Sequence, residues 1–127
     1  MTDSRVLLDT SAWLSHLDST DNGQVRAIVL SKAVIYVSVL SLFEVKRKLL
    51  KDKLSSGDVA AALDNILARC TPVELSQEIC LTAAEHSVQH KLSAVDALIY
   101  ATSESHLCTL ITFDNDFRGL QNVKVLK

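Results

Sequence analysis

The stretch that decides the fold runs from Arg5 to Leu14 and reads RVLLDTSAWL. A short apolar run reaches an aspartate, two hydroxyl residues follow, and apolar residues then recur at helical spacing. This order is typical of a buried strand that passes into a helix, with an acid at the junction. In an open parallel sheet, ligands bind beyond the carboxyl ends of the strands, so we expect Asp9 to lie at the functional edge.

Length and composition indicate one globular domain over residues 1–127, with 48% apolar and 22% charged residues. The apolar runs are far shorter than the roughly 20 residues that a membrane span needs. The start of the chain lacks the basic segment and apolar core of a signal peptide. We therefore expect a cytoplasmic protein that does not contact a membrane.

The cysteines and the charge pattern give weaker information. Cys70, Cys80 and Cys108 have no C-x-x-C spacing, which disfavours a zinc site or a disulfide framework and suits a reducing compartment. We expect them to be small core residues. The net charge of −2 conceals one basic block, formed by Lys46, Arg47, Lys48, Lys51 and Lys53.

Short apolar stretches alternate with segments of helical pattern along the whole chain. Strands are predicted at about 5–9, 33–38, 71–75, 108–112 and 123–126. Helices are predicted at about 11–18, 22–32, 40–52 and 93–106, with a helical turn over 114–117. A further helix starts at 55–58 and extends to about 69. Another is capped by Ser76 and carries on one face Ile79, Cys80, Ala83, Ala84 and Val88. Pro72 predicts an edge position for the third strand. The alternation indicates a three-layer α/β/α sandwich on a largely parallel sheet.

Acids recur at the ends of predicted strands and the starts of predicted helices: Asp9, Glu44, Asp96 and Asp114, with Asp116 two residues after the last. In a parallel sheet these positions share the carboxyl edge, so the side chains could converge on one site. Each acid also has a purely structural interpretation. Asp9 and Asp114 suit helix N-caps, 93–96 resembles a capping box, and Glu44 could pair with Lys48. The pattern alone leaves both interpretations open.

A shared acidic site would have definite chemistry. Neighbouring carboxylates repel one another unless a cation compensates their charge. Oxygen ligands favour Mg²⁺ or Mn²⁺, which lowers the pKa of water and offsets charge on a phosphate under attack. Such a pocket cannot hold a polyanion alone, but a basic rim such as Lys46–Lys53 could hold a nucleic-acid strand outside it.

Four motifs follow one another along the chain: L-L-D-T-S at 7–11, F-E-V at 43–45, A-V-D-A-L-I-Y-A at 94–101 and I-T-F-D-N-D-F at 111–117. Taken together, they resemble the motifs of PIN-domain nucleases, and most of all those of the small VapC-type toxins of toxin–antitoxin modules. Each motif is weak by itself, but the ordered set is specific and covers nearly the whole chain.

The resemblance implies a five-stranded parallel sheet and a metal-dependent endoribonuclease that cuts RNA with metal-activated water, leaving a 5′-phosphate and a 3′-hydroxyl. It implies that the catalytic residues and ligands of Mg²⁺ or Mn²⁺ are Asp9, Glu44, Asp96 and Asp114. It also implies supporting roles for Asp116, Ser11 and Thr112. The hydroxyl groups of Ser11 and Thr112 would orient the carboxylates or bound water. The basic residues expected to contact RNA are Lys46, Arg47, Lys48 and Lys51.

The resemblance also implies partners: a second copy in a homodimer, and an antitoxin that covers the site. The face of the helix at 40–54 is one candidate docking surface, although an amphipathic helix normally buries its apolar stripe in the core.

Other interpretations remain. A PIN nuclease of RNA processing or decay would need no antitoxin, and a PIN-like or receiver-like binding module would use its acids only as caps. His86 and His90 lie four residues apart, but they lack the third ligand that a zinc site needs. Trp13 is expected to be core or interface rather than a base-stacking residue.

Overall fold

The computed structural model describes residues 4–127, which form alternating strands and helices. The strands are β1 (Arg5–Leu8), β2 (Val34–Ser38), β3 (Thr71–Val73), β4 (Thr109–Thr112) and β5 (Val123–Val125). The helices are α1 (Thr10–Leu17), α2 (Gln24–Val29), α3 (Val39–Lys51), α4 (Ser56–Arg69), α5 (Gln77–His90) and α6 (Ala94–Ser105), with a 3₁₀ helix at Asn115–Phe117.

The five strands form one sheet in the order β3-β2-β1-β4-β5, and every neighbouring pair is parallel. Parallel pairing requires helical crossovers between the strands, and these place helices on both faces. The predicted three-layer α/β/α architecture is therefore confirmed. β3 is an edge strand, as Pro72 predicted. Proline has no backbone N–H to donate, so it is tolerated in a strand that pairs on one side only.

Strand alternation divides the core between the two faces of the sheet. In β1, Val6 and Leu8 belong to one cluster and Leu7 to the other. The first cluster is completed by buried residues of α1 to α4: Trp13, Val25, Val45, Leu49, Val59 and Ile66. The second is completed mainly by residues of α5, α6 and the 3₁₀ helix: Ile79, Ala83, Ala97, Ile99, Tyr100 and Phe117.

Side-chain caps define where most of the helices begin. The side chain of the residue before the helix accepts a backbone N–H bond at Asp9, Ser38, Ser55, Ser76 and Ser93. None of the helices within residues 4–127 combines the length and the apolar character that crossing a membrane requires.

Two expectations about the core need correction. Only Cys108 is buried; Cys70 is half-buried and Cys80 is exposed. The α5 pattern suggested that Cys80 and Val88 lie on the buried face, yet Val88 is 85% exposed. Small apolar residues occur on two sides of α5, so its apolar pattern does not define one face.

The burial of β4 predicts a strong effect of truncation there. Leu110→Ala removes a side chain with no exposed surface and should lower the free energy of unfolding by about 2–5 kcal/mol through the cavity it leaves. Urea denaturation measures this loss. Leu30→Ala is the matched control, because Leu30 is 72% exposed, and its effect should stay within about 0.5 kcal/mol. Equal losses in the two variants would contradict this description of the core.

Candidate metal centre

The candidate site lies where β1 and β4 end side by side. β2 and β3 extend from one side of β1, whereas β4 and β5 extend from the other. The direction of strand addition thus reverses between β1 and β4, and such a reversal opens a crevice at the carboxyl edge of the sheet. Asp9 directly follows β1 and Asp114 follows β4 by two residues, so the fold places both at this crevice.

Three carboxylates come together there. One oxygen each from Asp96, Asp114 and Asp116 lies within 4.8 Å of the other two. The 3₁₀ helix holds two of them, since Asp114 Oδ1 accepts a hydrogen bond from the Asp116 N–H at 2.8 Å. Asp96 lies in the first turn of α6, where its N–H donates to Ser93 Oγ at 3.2 Å. Asp116, expected only to support the site, is therefore a member of the trio.

Asp9 is buried beside this trio, and all its bonds are internal. Its Oδ1 accepts from Ser11 Oγ at 2.7 Å and from the Ala12 N–H at 2.9 Å. Its Oδ2 accepts from Thr112 Oγ1 at 2.5 Å. The carboxylate thus caps α1, as the structural interpretation required, and also lies at the acidic edge.

The two hydroxyls that bond Asp9 are themselves held by the backbone after β4. Ser11 Oγ accepts from the Phe113 N–H at 3.0 Å, and Thr112 Oγ1 accepts from the Asp114 N–H at 2.9 Å. Because each hydroxyl accepts from a fixed N–H, its proton is directed to the Asp9 carboxylate. Ser11 and Thr112 therefore link the ends of β1 and β4 through Asp9.

Burial and mutual repulsion raise the pKa values of Asp9 and Asp96. For Asp9, burial is the largest cause and outweighs the hydrogen bonds from Thr112, Ala12 and Ser11, while the Asp114 charge adds to the increase. For Asp96, burial and then the Asp114 charge raise the pKa to about 6. Ionised together, these carboxylates repel one another, and a nearby cation would relieve that repulsion. An all-carboxylate donor set fits a hard divalent cation such as Mg²⁺ or Mn²⁺.

Glu44 lies outside the trio and has a different partner. Its Oε1 accepts a hydrogen bond from Thr10 Oγ1 at 2.6 Å, and Thr10 Oγ1 also lies 3.1 Å from Ser41 Oγ. The alternative of a Glu44–Lys48 pair is wrong, because Lys48 Nζ bonds Asp52 at 3.1 Å instead. The sequence pattern does not predict this role of Thr10 and Ser41, because its only signal is a hydroxyl in the first turn of each helix.

The basic candidates Lys46, Arg47, Lys48 and Lys51 lie on α3 and are exposed. Lys46, Arg47 and Lys51 surround an apolar cleft on the outside of α3. Their contact with RNA stays a prediction.

The histidine pair and Trp13 also have other roles. The rings of His86 and His90 stack, and His86 Nε2 lies 2.8 Å from Glu104 Oε1. In the described part of the chain, the aspartate trio is the one group of three or more side chains spaced to hold a metal. Trp13 is a core residue, only 2% exposed.

Comparison with known proteins identifies the family of this fold. The PIN domain family model matches residues 6–122. No curated protein sequence matches the chain at a significant level.

Solved structures are similar over nearly the whole chain. A toxin–antitoxin complex from Klebsiella pneumoniae is 24% identical, with a TM-score of 0.78 and coverage of 94% of this chain and 96% of that one. VapBC2 from Rickettsia felis, bound to a promoter DNA fragment, is 16% identical, with a TM-score of 0.79 and coverage of 97% and 99%. The sarcin–ricin-loop-cleaving toxin VapC20 of Mycobacterium tuberculosis is 22% identical, with a TM-score of 0.73 and coverage of 96% and 99%. At these identities the likeness concerns the fold.

The raised pKa of Asp96 predicts a pH-dependent gain of stability on its neutralisation. The increase of the Asp96 pKa from 3.8 to about 6 corresponds to a free-energy cost of about 3 kcal/mol for the ionised carboxylate in the folded protein. The effective cost is smaller, because solvent screens a partly exposed charge and the α6 N-terminus favours a negative one. Asp96→Asn should therefore raise the free energy of unfolding of the metal-free protein by about 1 kcal/mol near pH 7. Urea denaturation with a chelator measures this gain.

The sign of the pH dependence follows from proton binding. The folded protein binds the Asp96 proton more tightly than the unfolded chain does, so wild-type stability falls as the pH rises from about 4 to about 6. The advantage of the Asn variant should therefore be small near pH 4 and full near pH 7. A gain of equal size at both pH values would contradict the assigned cause.

Proposed function

The chain belongs to the PIN domain family, and we propose that it is a metal-dependent endoribonuclease that acts as the toxin of a type II toxin–antitoxin pair. The observation that carries this proposal is the convergence of Asp96, Asp114 and Asp116 beside buried Asp9 at the strand reversal. A site of this composition suits phosphodiester hydrolysis. A divalent cation bound by the acids would offset their negative charge and that of the phosphate, so that a polyanion can approach.

In the proposed mechanism, the aspartate trio would hold Mg²⁺ or Mn²⁺, and Asp9 and Glu44 would complete the surroundings of the ion. The bound ion would supply Lewis-acid chemistry, lowering the pKa of water and offsetting charge on the scissile phosphate. The chain's own residues provide position. Ser11 and Thr112 fix the Asp9 carboxylate through their hydroxyl protons, so that this acid does not reorient as charge develops nearby. Hydrolysis is proposed to leave a 5′-phosphate and a 3′-hydroxyl.

The proposed biological setting rests on the structural neighbours. Similar structures include toxin–antitoxin complexes from Klebsiella pneumoniae and Rickettsia felis, which supports an antitoxin partner for this chain. A homodimer and a cytoplasmic location complete the proposal. Sedimentation of the purified protein would measure the oligomeric state directly.

Removal of one acidic charge should abolish catalysis without unfolding the protein. Asp9→Asn and Asp96→Asn are each expected to lower Mg²⁺- or Mn²⁺-dependent cleavage of RNA by at least about 100-fold, the loss of a few kcal/mol of transition-state stabilisation. Cleavage of a labelled RNA on a gel measures the rate, and circular dichroism checks the fold.

Asp64→Asn is the matched control, because Asp64 is an exposed aspartate on α4 and its loss should leave cleavage unchanged. Unchanged cleavage in both site variants would refute the metal site. Unfolding of both would favour the interpretation of these acids as caps alone.

Thr10 is expected to position Glu44 for the cation. Thr10→Val removes the hydroxyl that bonds Glu44 while keeping the side-chain shape, and should weaken Mn²⁺ binding about tenfold, as loss of an outer-shell partner typically does. Thr10→Ser keeps the hydroxyl and should bind Mn²⁺ like wild type. Titration calorimetry with Mn²⁺ measures both affinities. If the Val and Ser variants bind equally well, the bond to Glu44 has no part in holding the ion.

A further inference from the structure

Arg118 directly follows the 3₁₀ helix, the segment that contributes two aspartates to the trio. Its backbone N–H donates to the Asn115 carbonyl oxygen at 3.0 Å, where this helix ends. Its side chain turns back to the same residue, and guanidinium Nη2 donates to Asn115 Oδ1 at 2.7 Å. Asn115 lies between Asp114 and Asp116 in the chain. The guanidinium is therefore tied to the turn that places these two carboxylates.

The positive charge of Arg118 is not cancelled by an acid. In residues 4–127, no carboxylate lies within ion-pair distance of its guanidinium, although Asp114 and Asp116 are within four positions of it in the chain. Its partner is the neutral Asn115 amide, and within the same residues the guanidinium has no second hydrogen bond. A guanidinium has five N–H donors, so most of them stay available. Arg118 is also exposed, so a ligand can reach it.

The acidic site needs positive charge from the chain if it is to receive a polyanion. When ionised, the trio and Asp9 outweigh the charge of one divalent cation, so an approaching phosphate still meets net negative charge. Between positions 109 and 123, Arg118 is the one cationic side chain. The basic block of α3 belongs to a different segment, whereas Arg118 is bonded to the turn of the trio itself.

We propose that Arg118 binds an RNA phosphate that neighbours the cleaved one, and that Asn115 positions the guanidinium for this contact. This role rests on the proposed function and adds a substrate-binding residue to the same site. A planar guanidinium donates two parallel N–H bonds to phosphate oxygens, so it orients the strand as well as attracting it. The bond to Asn115 leaves the rest of the guanidinium free. It also restrains the cation from pairing with the carboxylates, where it would compete with the divalent ion.

A purely structural role for Arg118 explains less of its surroundings. The turn is already held by the bond from the Asp116 N–H to Asp114 Oδ1 and by Phe117, which has no exposed surface. Neither interaction needs a positive charge at position 118. An exposed cation with unused donors beside an acidic site is accounted for by an anionic ligand.

The salt dependence of RNA binding tests the phosphate contact. A labelled single-stranded RNA is titrated with the intact protein in Ca²⁺, a gel verifies that the RNA stays whole, and fluorescence anisotropy gives the affinity at several KCl concentrations. The slope of log K against log [KCl] is the salt slope, and each lost phosphate contact makes it less steep by about 0.7 for a single strand. We expect Arg118→Gln to cause this change and to weaken binding about tenfold at low salt.

Two further variants separate the contact from a general effect of charge. Arg118→Lys keeps the charge but not the planar fork, so it should keep the wild-type salt slope while affinity falls severalfold. Lys32→Gln is the matched control for the loss of one positive charge. Lys32 is exposed and precedes β2 by two residues, at the amino edge of the sheet and opposite the acids, so its loss should change neither quantity. A wild-type salt slope in Arg118→Gln, or an equal change in Lys32→Gln, would overturn the proposal.

The positioning role of Asn115 is tested by a double-mutant cycle. Asn115→Ala removes the side chain that accepts from the guanidinium. It should weaken RNA binding severalfold when Arg118 is present and have no effect in the Arg118→Gln background. Equal losses in both backgrounds would mean that Asn115 acts through the 3₁₀ helix and not through Arg118, which would refute this role. Circular dichroism checks that each variant is folded.

The cleavage assay separates this proposal from the proposed function. Arg118→Gln should raise KM about tenfold and change kcat by less than about threefold, because contact with a neighbouring phosphate is made in the ground state and in the transition state alike. A wild-type protein that does not cleave RNA but binds it with a salt slope that depends on Arg118 would refute the nuclease and retain the contact. A protein that cleaves RNA with a KM and a salt slope unaffected by Arg118→Gln would refute the contact and retain the nuclease.

Discussion

The parallel pairing of β1 with β4 is the constraint on which the acidic edge depends. Parallel strands end on the same side of a sheet, so the residues that follow them are neighbours although they are about a hundred positions apart in the chain. Asp9 and the segment after Thr112 meet in this way. The hydrogen bonds through Ser11 and Thr112 then join the two chain segments by side chains, in addition to the backbone pairing of the strands.

Charge at this edge works against stability. Burial and repulsion raise the pKa values of Asp9 and Asp96, which means that the folded protein holds these carboxylates in a less favourable environment than water. Internal donors offset part of this cost at Asp9. Uncharged residues such as Ser or Asn would cap these helices equally well. Carboxylates kept at the crevice at a cost in stability are typical of an active site, where function and folding stability conflict.

Much of this arrangement could be predicted from the sequence, and the residues show why the rest could not. Asp9 and Asp114 each follow an apolar β-branched or leucine-rich run, so their place at strand ends was evident. The closeness of Asp116 to Asp96 depends on the turn of the 3₁₀ helix, which no periodicity encodes. The bond from Thr10 to Glu44 joins α1 and α3 on one face of the sheet, and because the two residues are 34 positions apart in the chain, no local signal predicts it. On α5, alanines at 83 and 84 point to different sides, so the pattern could not choose a face.

The edges of the sheet limit how this protein can meet others. β3 and β5 are its two open edges, and each is only three residues long. Pro72 offers no N–H to an incoming strand, and Lys124 places a charge in the exposed position of β5. Both features oppose the addition of a foreign strand and the aggregation that follows from it. Association with other chains is therefore directed to the helical faces, where side chains rather than backbone decide which partner is accepted.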